Sequence, residues 1–200
     1  MKKPQPLDSL FVLVTDSDEK LMKYVQNGNK KALEKLYERY KGKIFNFVVN
    51  MMKDQKQAEE VTQDVFIKII KSSARFSDQY KFATWIFTIA KNTTLDRIKK
   101  KKESTFGLDA LESGNYVDQQ VDDSVNIEMD AIAKADREIV EKCLGKLKYE
   151  QKEALMMRVY SEESYEEISR ALDKSLSSVK SLINRAKVAL NKCVTECMEA

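Results

Sequence analysis

Residues 58–102 read AEEVTQDVFIKIIKSSARFSDQYKFATWIFTIAKNTTLDRIKKKK and contain two predicted helices separated by a polar segment. In the first helix, apolar side chains recur every three or four residues, the period of an amphipathic helix: Val61, Val65 or Phe66, Ile69 and Ile70. The second helix is predicted to begin near Phe82 and to end in basic residues; one of its faces carries Phe82, Trp85, Ile86 and Ile89. An acidic helix, an aromatic-bearing loop and a helix with a basic end indicate two kinds of partner, one basic and one anionic.

Acidic and amide side chains cover the remaining surface of the first of these helices: Glu59, Glu60, Gln63 and Asp64. Paired carboxylates can act as general acids and bases, or they can bind Mg²⁺. No motif for a nucleophile, a phosphate-binding loop or a metal cluster accompanies them in the sequence. We therefore interpret this face as a surface for a basic protein partner.

The composition outside this stretch predicts an all-α protein. The 200 residues include five Gly and two Pro, and both prolines precede residue 7. No apolar run is long enough for a membrane span. The apolar run at residues 10–14 is too short for a signal peptide, so we expect a cytoplasmic protein without membrane insertion.

The charge distribution divides the chain into segments. Residues 1–102 hold 22 Lys and Arg against 12 Asp and Glu, a net charge of +10, whereas residues 103–130 hold eight acids and no basic residue. Residues 131–200 have a net charge of +1. We predict an N-terminal extension at 1–17, a basic four-helix domain at 18–102, an acidic flexible linker at 103–130 and a second small helical domain at 131–200.

The second domain ends in a predicted helix-turn-helix unit. A short helix, YEEISRAL at 165–172, is followed by a four-residue turn and by a long helix that begins near Ser177. On a helical wheel, one stripe of this last helix is apolar: Val179, Leu182, Ile183, Ala186, Leu190, Cys193, Val194 and Cys197. The opposite face offers short polar and cationic side chains of the kind that contact bases and phosphates in a major groove.

The basic domain offers a second candidate contact with nucleic acid. The lysine run at 99–102 suits phosphates, although a basic helix end can also simply complement the helix dipole. Asn92 lies off the aromatic stripe and can hydrogen-bond a base or a phosphate. The loop at 72–80 beside it could receive an unstacked base.

The cysteines and the absence of histidine limit the possible chemistry. The chain has three cysteines and no histidine, which excludes His-based catalysis and every metal site that contains histidine. Cys193 and Cys197 lie one helical turn apart and could be a metal pair, but the sequence supplies no third or fourth ligand nearby. We therefore predict buried thiols, no disulfide framework, no metal and no cofactor.

Four segments, in this order, resemble the small two-domain extracytoplasmic function (ECF) group of bacterial sigma-70 factors. ALEKLYERYKGKIFNFVVNMM at 32–52 resembles the first helices of region 2, and AEEVTQDVFIKII at 58–70 is similar to its core-binding helix. FATWIFTIAKNTTLDRIKKKK at 82–102 resembles the helix that meets the −10 element. LKYEQKEALMMRVYSEESYEEISRAL and SSVKSLINRAKVAL, within 147–190, resemble region 4 and its −35 recognition helix.

The resemblance implies a sigma factor, which is not an enzyme. Such a protein binds core RNA polymerase, directs promoter-specific initiation through the −10 and −35 elements and assists DNA melting. The implied partners are the β′ clamp helices and β flap of the polymerase, promoter DNA and an anti-sigma factor. The implied location is the cytoplasm, with the nucleoid as the site of the polymerase-bound protein. In this family the linker passes through the polymerase cleft and RNA exit path, where a negative charge can mimic RNA.

The resemblance also implies site residues. For core polymerase these are Glu59, Glu60, Gln63, Asp64 and Phe66. For the −10 element they are Arg75, Phe76, Lys81, Lys91, Asn92, Arg97, Lys99 and Lys100. For the −35 element they are Ser177, Ser178, Lys180, Ser181, Asn184, Arg185 and Lys187.

Two other functions fit parts of the sequence. A free-standing helix-turn-helix regulator would bind duplex DNA by itself, but residues 1–130 show no dimerisation or effector domain. An enzyme acting on nucleic acid would need catalytic groups that the sequence does not supply. The sigma factor is therefore the favoured interpretation, and the free-standing regulator is the alternative.

Overall fold

The computed structural model describes residues 16–105 and 127–199, with side chains described for 16–101 and 136–199. These residues contain no β-strand, which confirms the all-α prediction, and none of their helices has the length and apolar character needed to cross a bilayer. The predicted linker and N-terminal extension lie largely outside the described residues. The helices are α1 (Asp18–Gln26), α2 (Lys30–Met52), α3 (Gln55–Ser72), α4 (Phe82–Thr105), α5 (Ile127–Lys146), α6 (Tyr149–Ser161), α7 (Tyr165–Leu172) and α8 (Leu176–Met198), with a 3-10 turn at Ser73–Arg75.

Side-chain caps determine where several helices begin. Asn29 accepts a hydrogen bond from the Ala32 backbone N–H and so caps α2. Four other helices are capped in the same way. In each, the N-cap side chain accepts a hydrogen bond from the backbone N–H of the third residue after it: Ser17 for α1, Asp54 for α3, Ser164 for α7 and Ser175 for α8. These short polar residues interrupt the apolar pattern in the sequence, and so the predicted boundaries lie close to the observed ones.

The turn of the helix-turn-helix unit depends on one left-handed residue. Asp173 ends α7 with a left-handed φ of 52°. Its backbone N–H donates to the carbonyls of Ser169 and Arg170 in the last turn of the helix. A short polar side chain tolerates this conformation better than a branched one. The turn is one residue shorter than predicted, because Ser175 caps α8 and the helix begins at Leu176.

The α4 helix provides much of the core of the first half of the described chain, residues 16–105; residues 127–199 form the second half. Phe82, Ile86 and Phe87 are fully buried. The predicted apolar face of α4 also included Trp85 and Ile89, but these side chains are only partly buried. The prediction did not include Phe87. Phe87 lies edge-on to Phe47 of α2, with ring centroids 5.5 Å apart. The buried side of α4 is therefore broader than a single stripe.

The two halves of the described chain pack directly against each other and share one buried apolar cluster. The polar contacts between the described residues of the two halves include the following four. Lys43 pairs with Glu162 at 2.9 Å, and Asn50 donates to the Tyr160 hydroxyl at 3.0 Å. Thr84 donates to Glu167, and Lys91 donates to the Ala171 carbonyl, each at 3.3 Å. The sequence predicted two domains but gave no sign of this shared core, because a periodic pattern does not specify which neighbour an apolar face meets.

The cysteines differ from the sequence prediction. Cys143 of α5 and Cys193 of α8 form a disulfide bond, with a Cα–Cα distance of 5.7 Å. Cys197 is free and only partly buried. The prediction that Cys193 packs in the core is correct, since it is 7% exposed, but the prediction of unbonded thiols is wrong for this pair. The pairing was missed because 50 residues separate the two cysteines.

A buried lysine opposes the packing of the two halves. Lys152 of α6 is 7% exposed. Burial, followed by the charge of Lys53 at the end of α2, lowers the pKa of Lys152 to about 8. Lys53 in turn lies close to α5, because a Cβ added to Gly145 would meet its Nζ atom at 1.9 Å. Two cations are therefore crowded where α2, α5 and α6 meet.

We predict that Lys152→Met increases the free energy of unfolding by roughly 1–3 kcal/mol at pH 7, because it removes a buried charge. The folded-state pKa of this lysine is lowered, so the folded chain binds fewer protons than the unfolded chain between about pH 8 and the ordinary lysine pKa. The stability of the unmodified chain must therefore rise with pH across that window, and the advantage of the variant must shrink. Urea unfolding at pH 7 and pH 9.5 measures both effects.

The matched control is Lys148→Met, the same substitution at an exposed lysine four residues earlier. It should change stability by less than about 0.5 kcal/mol at either pH. A Lys152→Met gain that is absent at pH 7, or equal at both pH values, would contradict the assignment.

Candidate nucleic-acid interface

The outer face of α3 combines acidic, amide and aliphatic side chains. Glu59, Glu60 and Gln63 are exposed, and Asp64 is partly exposed. On the same helix Ile67 is 47% and Ile70 is 49% exposed. The apolar pattern had included Ile70 in its stripe, and Ile67 was not identified as a surface residue. Exposed isoleucines beside carboxylates make this face suitable for a protein partner with both apolar and basic groups.

Phe66 does not belong to this exposed face. It is 6% exposed, and its ring lies edge-on to Tyr37 of α2 with centroids 4.7 Å apart. The side chain therefore holds α3 against α2 and presents little surface to a partner. A one-residue change in position along a helix rotates a side chain by about 100°, which is enough to move it from the surface into the core.

Arg97 of α4 connects the two predicted surfaces of the first half. Its guanidinium donates to Glu60 at 2.8 Å and to Asp64 at 3.0 Å. Hydrogen bonding to these carboxylates, Glu60 first, raises the arginine pKa. A residue predicted to contact DNA thus pairs with two residues predicted to contact polymerase. Arg97, Glu60 and Asp64 all line one groove between α3 and α4, and Lys100 lines it as well.

Arg75 and Asn92, both predicted for the −10 element, line the same hollow. It has a volume of about 400 Å³ and lies between the end of α3 and the middle of α4. Lys68 and Lys71 of α3 line it as well, and the Lys68 ammonium donates to Thr93 at 3.0 Å. These two lysines were not identified from the sequence, although their spacing of three residues on a polar helix face could have indicated them.

The other predicted −10 residues are dispersed. Lys81 is exposed and lines a different hollow, which Glu19 of α1 and Glu167 of α7 also border. Lys91 faces the second half through its bond to Ala171, and Lys99 is simply exposed. The structure therefore brings Arg75 and Asn92 together, but it does not place all eight residues on one surface.

Phe76 is a core residue. It is 6% exposed, and its ring lies 5.9 Å from that of Phe82 and 5.2 Å from that of Trp85. The Gln26 side chain also donates to the Phe76 carbonyl at 2.9 Å. Phe76 therefore fixes the loop, whereas Tyr80 of the same loop is 53% exposed.

The face of α8 predicted for DNA is open to solvent. Lys180, Asn184, Arg185 and Lys187 are exposed, and within the described residues no hydrogen bond or ion pair engages the side chains of Asn184, Arg185 and Lys187. Of the three predicted serines, Ser177 is exposed, whereas Ser178 and Ser181 are partly buried. The wheel prediction for the buried side is confirmed at four positions: Val179, Ile183, Ala186 and Cys193.

The start of α8 has the features of a phosphate-binding helix end. Ser175 accepts a hydrogen bond from the Ser178 N–H at 3.2 Å, and its hydroxyl lies 3.1 Å from that of Ser177. The first turn of a helix leaves backbone N–H groups without an internal partner, and these groups favour anions. Combined with the cations farther along the helix, this face can bind phosphates and read base edges.

Two family models match the chain. The model described as Sigma-70 region 2 matches residues 36–104, and the model described as Sigma-70, region 4, matches residues 137–190. The ECF RNA polymerase sigma factor SigW of Bacillus subtilis is 30% identical over 178 residues, covering 87% of this chain and 95% of that relative. The first match ends at residue 104 and the second begins at residue 137, so almost all of the segment predicted to be a linker, 103–130, lies between them.

Solved structures with the same fold include two protein complexes, one of which contains a sigma factor. CnrH in complex with the cytosolic domain of CnrY aligns with a TM-score of 0.65 and 19% identity, covering 90% of this chain and 99% of CnrH. RpoE in complex with the anti-sigma factor NepR from Bartonella quintana aligns with a TM-score of 0.68 and 19% identity, covering 82% of this chain and 98% of RpoE. At this identity the similarity establishes the fold alone.

We predict that Phe76→Ala lowers the free energy of unfolding by about 3–5 kcal/mol, since it opens a cavity in an aromatic cluster. Tyr80→Ala, the matched change at an exposed aromatic residue in the same loop, should alter it by less than about 1 kcal/mol. Urea unfolding followed by circular dichroism measures both values. Equal, small effects would contradict the assignment of Phe76 to the core.

Proposed function

The chain belongs to the extracytoplasmic function group of sigma-70 factors, which direct promoter-specific transcription initiation, and we propose the surfaces with which it does so. The observation that carries the proposal is the presence of an exposed acid-and-isoleucine face on α3 and an open polar and cationic face on α8 in one chain. The first face fits a protein partner and the second fits duplex DNA. A sigma factor needs both.

The α3 face is proposed to dock on the β′ clamp helices of core RNA polymerase. Glu60, Gln63 and Asp64 would meet basic or polar groups, and Ile67 and Ile70 would supply the apolar centre of the contact. The second domain, residues 131–200, would contact the β flap. The cytoplasm, and the nucleoid in the polymerase-bound form, is the location that this role requires.

The hollow that contains Arg75 and Asn92 is proposed to receive an unstacked base of the −10 element. Its volume lies within the range of about 300–1,000 Å³ typical of small-molecule sites. An amide can hydrogen-bond a base edge, and a guanidinium can stack on a base or bind a phosphate. The DNA strand that carries this base would run past three cations: Lys68, Lys71 and Lys100. The cationic residues outside the hollow would contact the backbone: Lys81, Lys91, Arg97 and Lys99.

The α8 face is proposed to enter the major groove at the −35 element. Lys180, Ser181, Asn184 and Arg185 would reach base edges or nearby phosphates, while Ser177, Ser178 and Lys187 would contact the backbone.

The packed arrangement of the two halves must open for both elements to be read together. Elements separated by about 25 base pairs lie about 85 Å apart along B-form DNA. A packed 200-residue chain is only about 40 Å across. The contacts Lys43–Glu162, Asn50–Tyr160, Thr84–Glu167 and Lys91–Ala171 would therefore break on assembly. An anti-sigma factor that favours the packed form would oppose initiation.

We predict that the double change Gln63→Ala and Ile67→Ala lowers run-off transcription with core polymerase by at least about tenfold, because it removes an amide and an exposed aliphatic group from the proposed docking centre. Both side chains are exposed, so the melting temperature should not change. The matched control is Glu34→Ala at an exposed position of α2. Full activity of the double variant, or specific regulation by the chain without core polymerase, would contradict the proposal and favour a free-standing regulator.

We predict that Arg185→Ala, assayed as the assembled polymerase complex, weakens discrimination between a −35 duplex and a scrambled duplex by about tenfold to a hundredfold, the range for one lost base contact. Lys192→Ala removes a cation from the distal part of the same helix and should leave the discrimination ratio unchanged. Fluorescence anisotropy at fixed salt measures both ratios. An equal loss in the two variants would show that only net charge matters and that α8 does not read sequence through Arg185.

A further inference from the structure

All three cysteines of the chain converge at one place. Cys193 and Cys197 lie one helical turn apart on α8, and Cys143 approaches from α5. The three Sγ atoms all lie within 4.8 Å of one another. The sequence placed two of them on one helix face but supplied no third ligand. The fold supplies it from a helix 50 residues away.

We propose that the reduced chain binds one Zn²⁺ ion through the thiolates of Cys143, Cys193 and Cys197. A disulfide uses only two sulfur atoms, so it does not account for the third thiol beside the pair. Thiolates are preferred zinc ligands, and two ligands one turn apart on a helix with a third on a neighbouring helix can occupy three corners of a tetrahedron.

The required geometry is close to the observed one. Zn–S bonds of about 2.3 Å place the sulfur atoms of a tetrahedral site roughly 3.8 Å apart. Cys143 and Cys193 would separate from their bonded distance to this value, while Cys197 lies within 4.8 Å of both. Cys197 is the more exposed of the three, so the fourth position, on its side, is open to water. Zinc sites with three protein ligands commonly hold a water in that position.

The metal-bound and disulfide forms exclude each other. Reduction of the Cys143–Cys193 bond takes two electrons and two protons from a dithiol reductant, which becomes a disulfide. Zn²⁺ then binds the three sulfur atoms, and the three thiol protons are released to solvent. In the reverse direction an oxidising disulfide takes two electrons from the two thiolates, the Cys143–Cys193 bond forms and the ion is released. One cluster can therefore hold either a metal or a disulfide.

The test uses the untagged full chain, because it contains no histidine and its thiolates are then the only strong ligands for a soft metal. The reduced chain is titrated with Co²⁺, a spectroscopic substitute for zinc. We expect one equivalent to produce a thiolate-to-cobalt charge-transfer band, which Zn²⁺ then abolishes by displacement. The oxidised chain should give no band until a reductant is added.

The decisive variant is Cys197→Ser, which leaves the disulfide pair intact and removes only the third sulfur. It should still form the Cys143–Cys193 bond, yet weaken Co²⁺ binding by at least about 100-fold, because losing even a partner outside the ligand set commonly costs about 10- to 100-fold. Thr195→Ser, an exposed change on the same helix turn, is the matched control and should bind as the unmodified chain does. Circular dichroism confirms that both variants fold.

Three outcomes would overturn the proposal: no band from the reduced chain, equal binding by Cys197→Ser, or equal binding by the oxidised chain. A reduced chain that binds no metal but reoxidises readily would identify the cluster as a disulfide site only. Metal binding is measured here without DNA or polymerase, so its failure leaves the proposed function unaffected.

Discussion

The aromatic cluster around Phe82 is the packing on which the first half depends. Its ring lies 5.2 Å from Tyr40 of α2 and 5.9 Å from Phe76 of the loop, and its backbone N–H donates to Glu19 of α1. Four segments therefore meet at one residue at the start of α4, two of them through its ring and α1 through its backbone N–H. Rings in edge-on contact exclude water and restrict each other's rotation. The loop that carries Arg75 is thereby held beside the helix that carries Asn92.

The contacts between the two halves include some that stabilise their packing and one that opposes it. The Lys43–Glu162 pair is largely exposed, and pairs of this kind contribute little. The buried charge of Lys152 opposes the packing, so the shared apolar cluster supplies most of the attraction. Interfaces between domains of one chain are commonly modest in this way. The proposed opening along about 85 Å of promoter would expose part of this cluster to water, so the buried apolar surface sets most of the cost of separating the halves.

The helices and the turn between α7 and α8 could be predicted from local sequence features. Contacts between residues far apart in the sequence could not. The 3.6-residue period identified the helices, and the polar residues between the apolar runs marked the turns, including the one at Asp173. The outer face of α8 followed from the same period. The shared core and the Cys143–Cys193 bond could not be predicted, because both join residues far apart in sequence. The resemblance assigned Phe66 and Phe76 to binding surfaces, but their rings pack against residues of other helices, which the local pattern does not show.

The position of Arg97 shows how two functions can share a small domain. It joins Glu60 and Asp64 of the proposed polymerase surface to the helix proposed to meet the −10 strand. Both carboxylates are about half exposed, so water and salt weaken each pair and the arginine can exchange one anion for another at small cost. A phosphate offers the same bidentate geometry as a carboxylate. The ion pairs that align α3 with α4 in the free chain would therefore leave Arg97 available to DNA if the α3 acids bind the proposed basic partner.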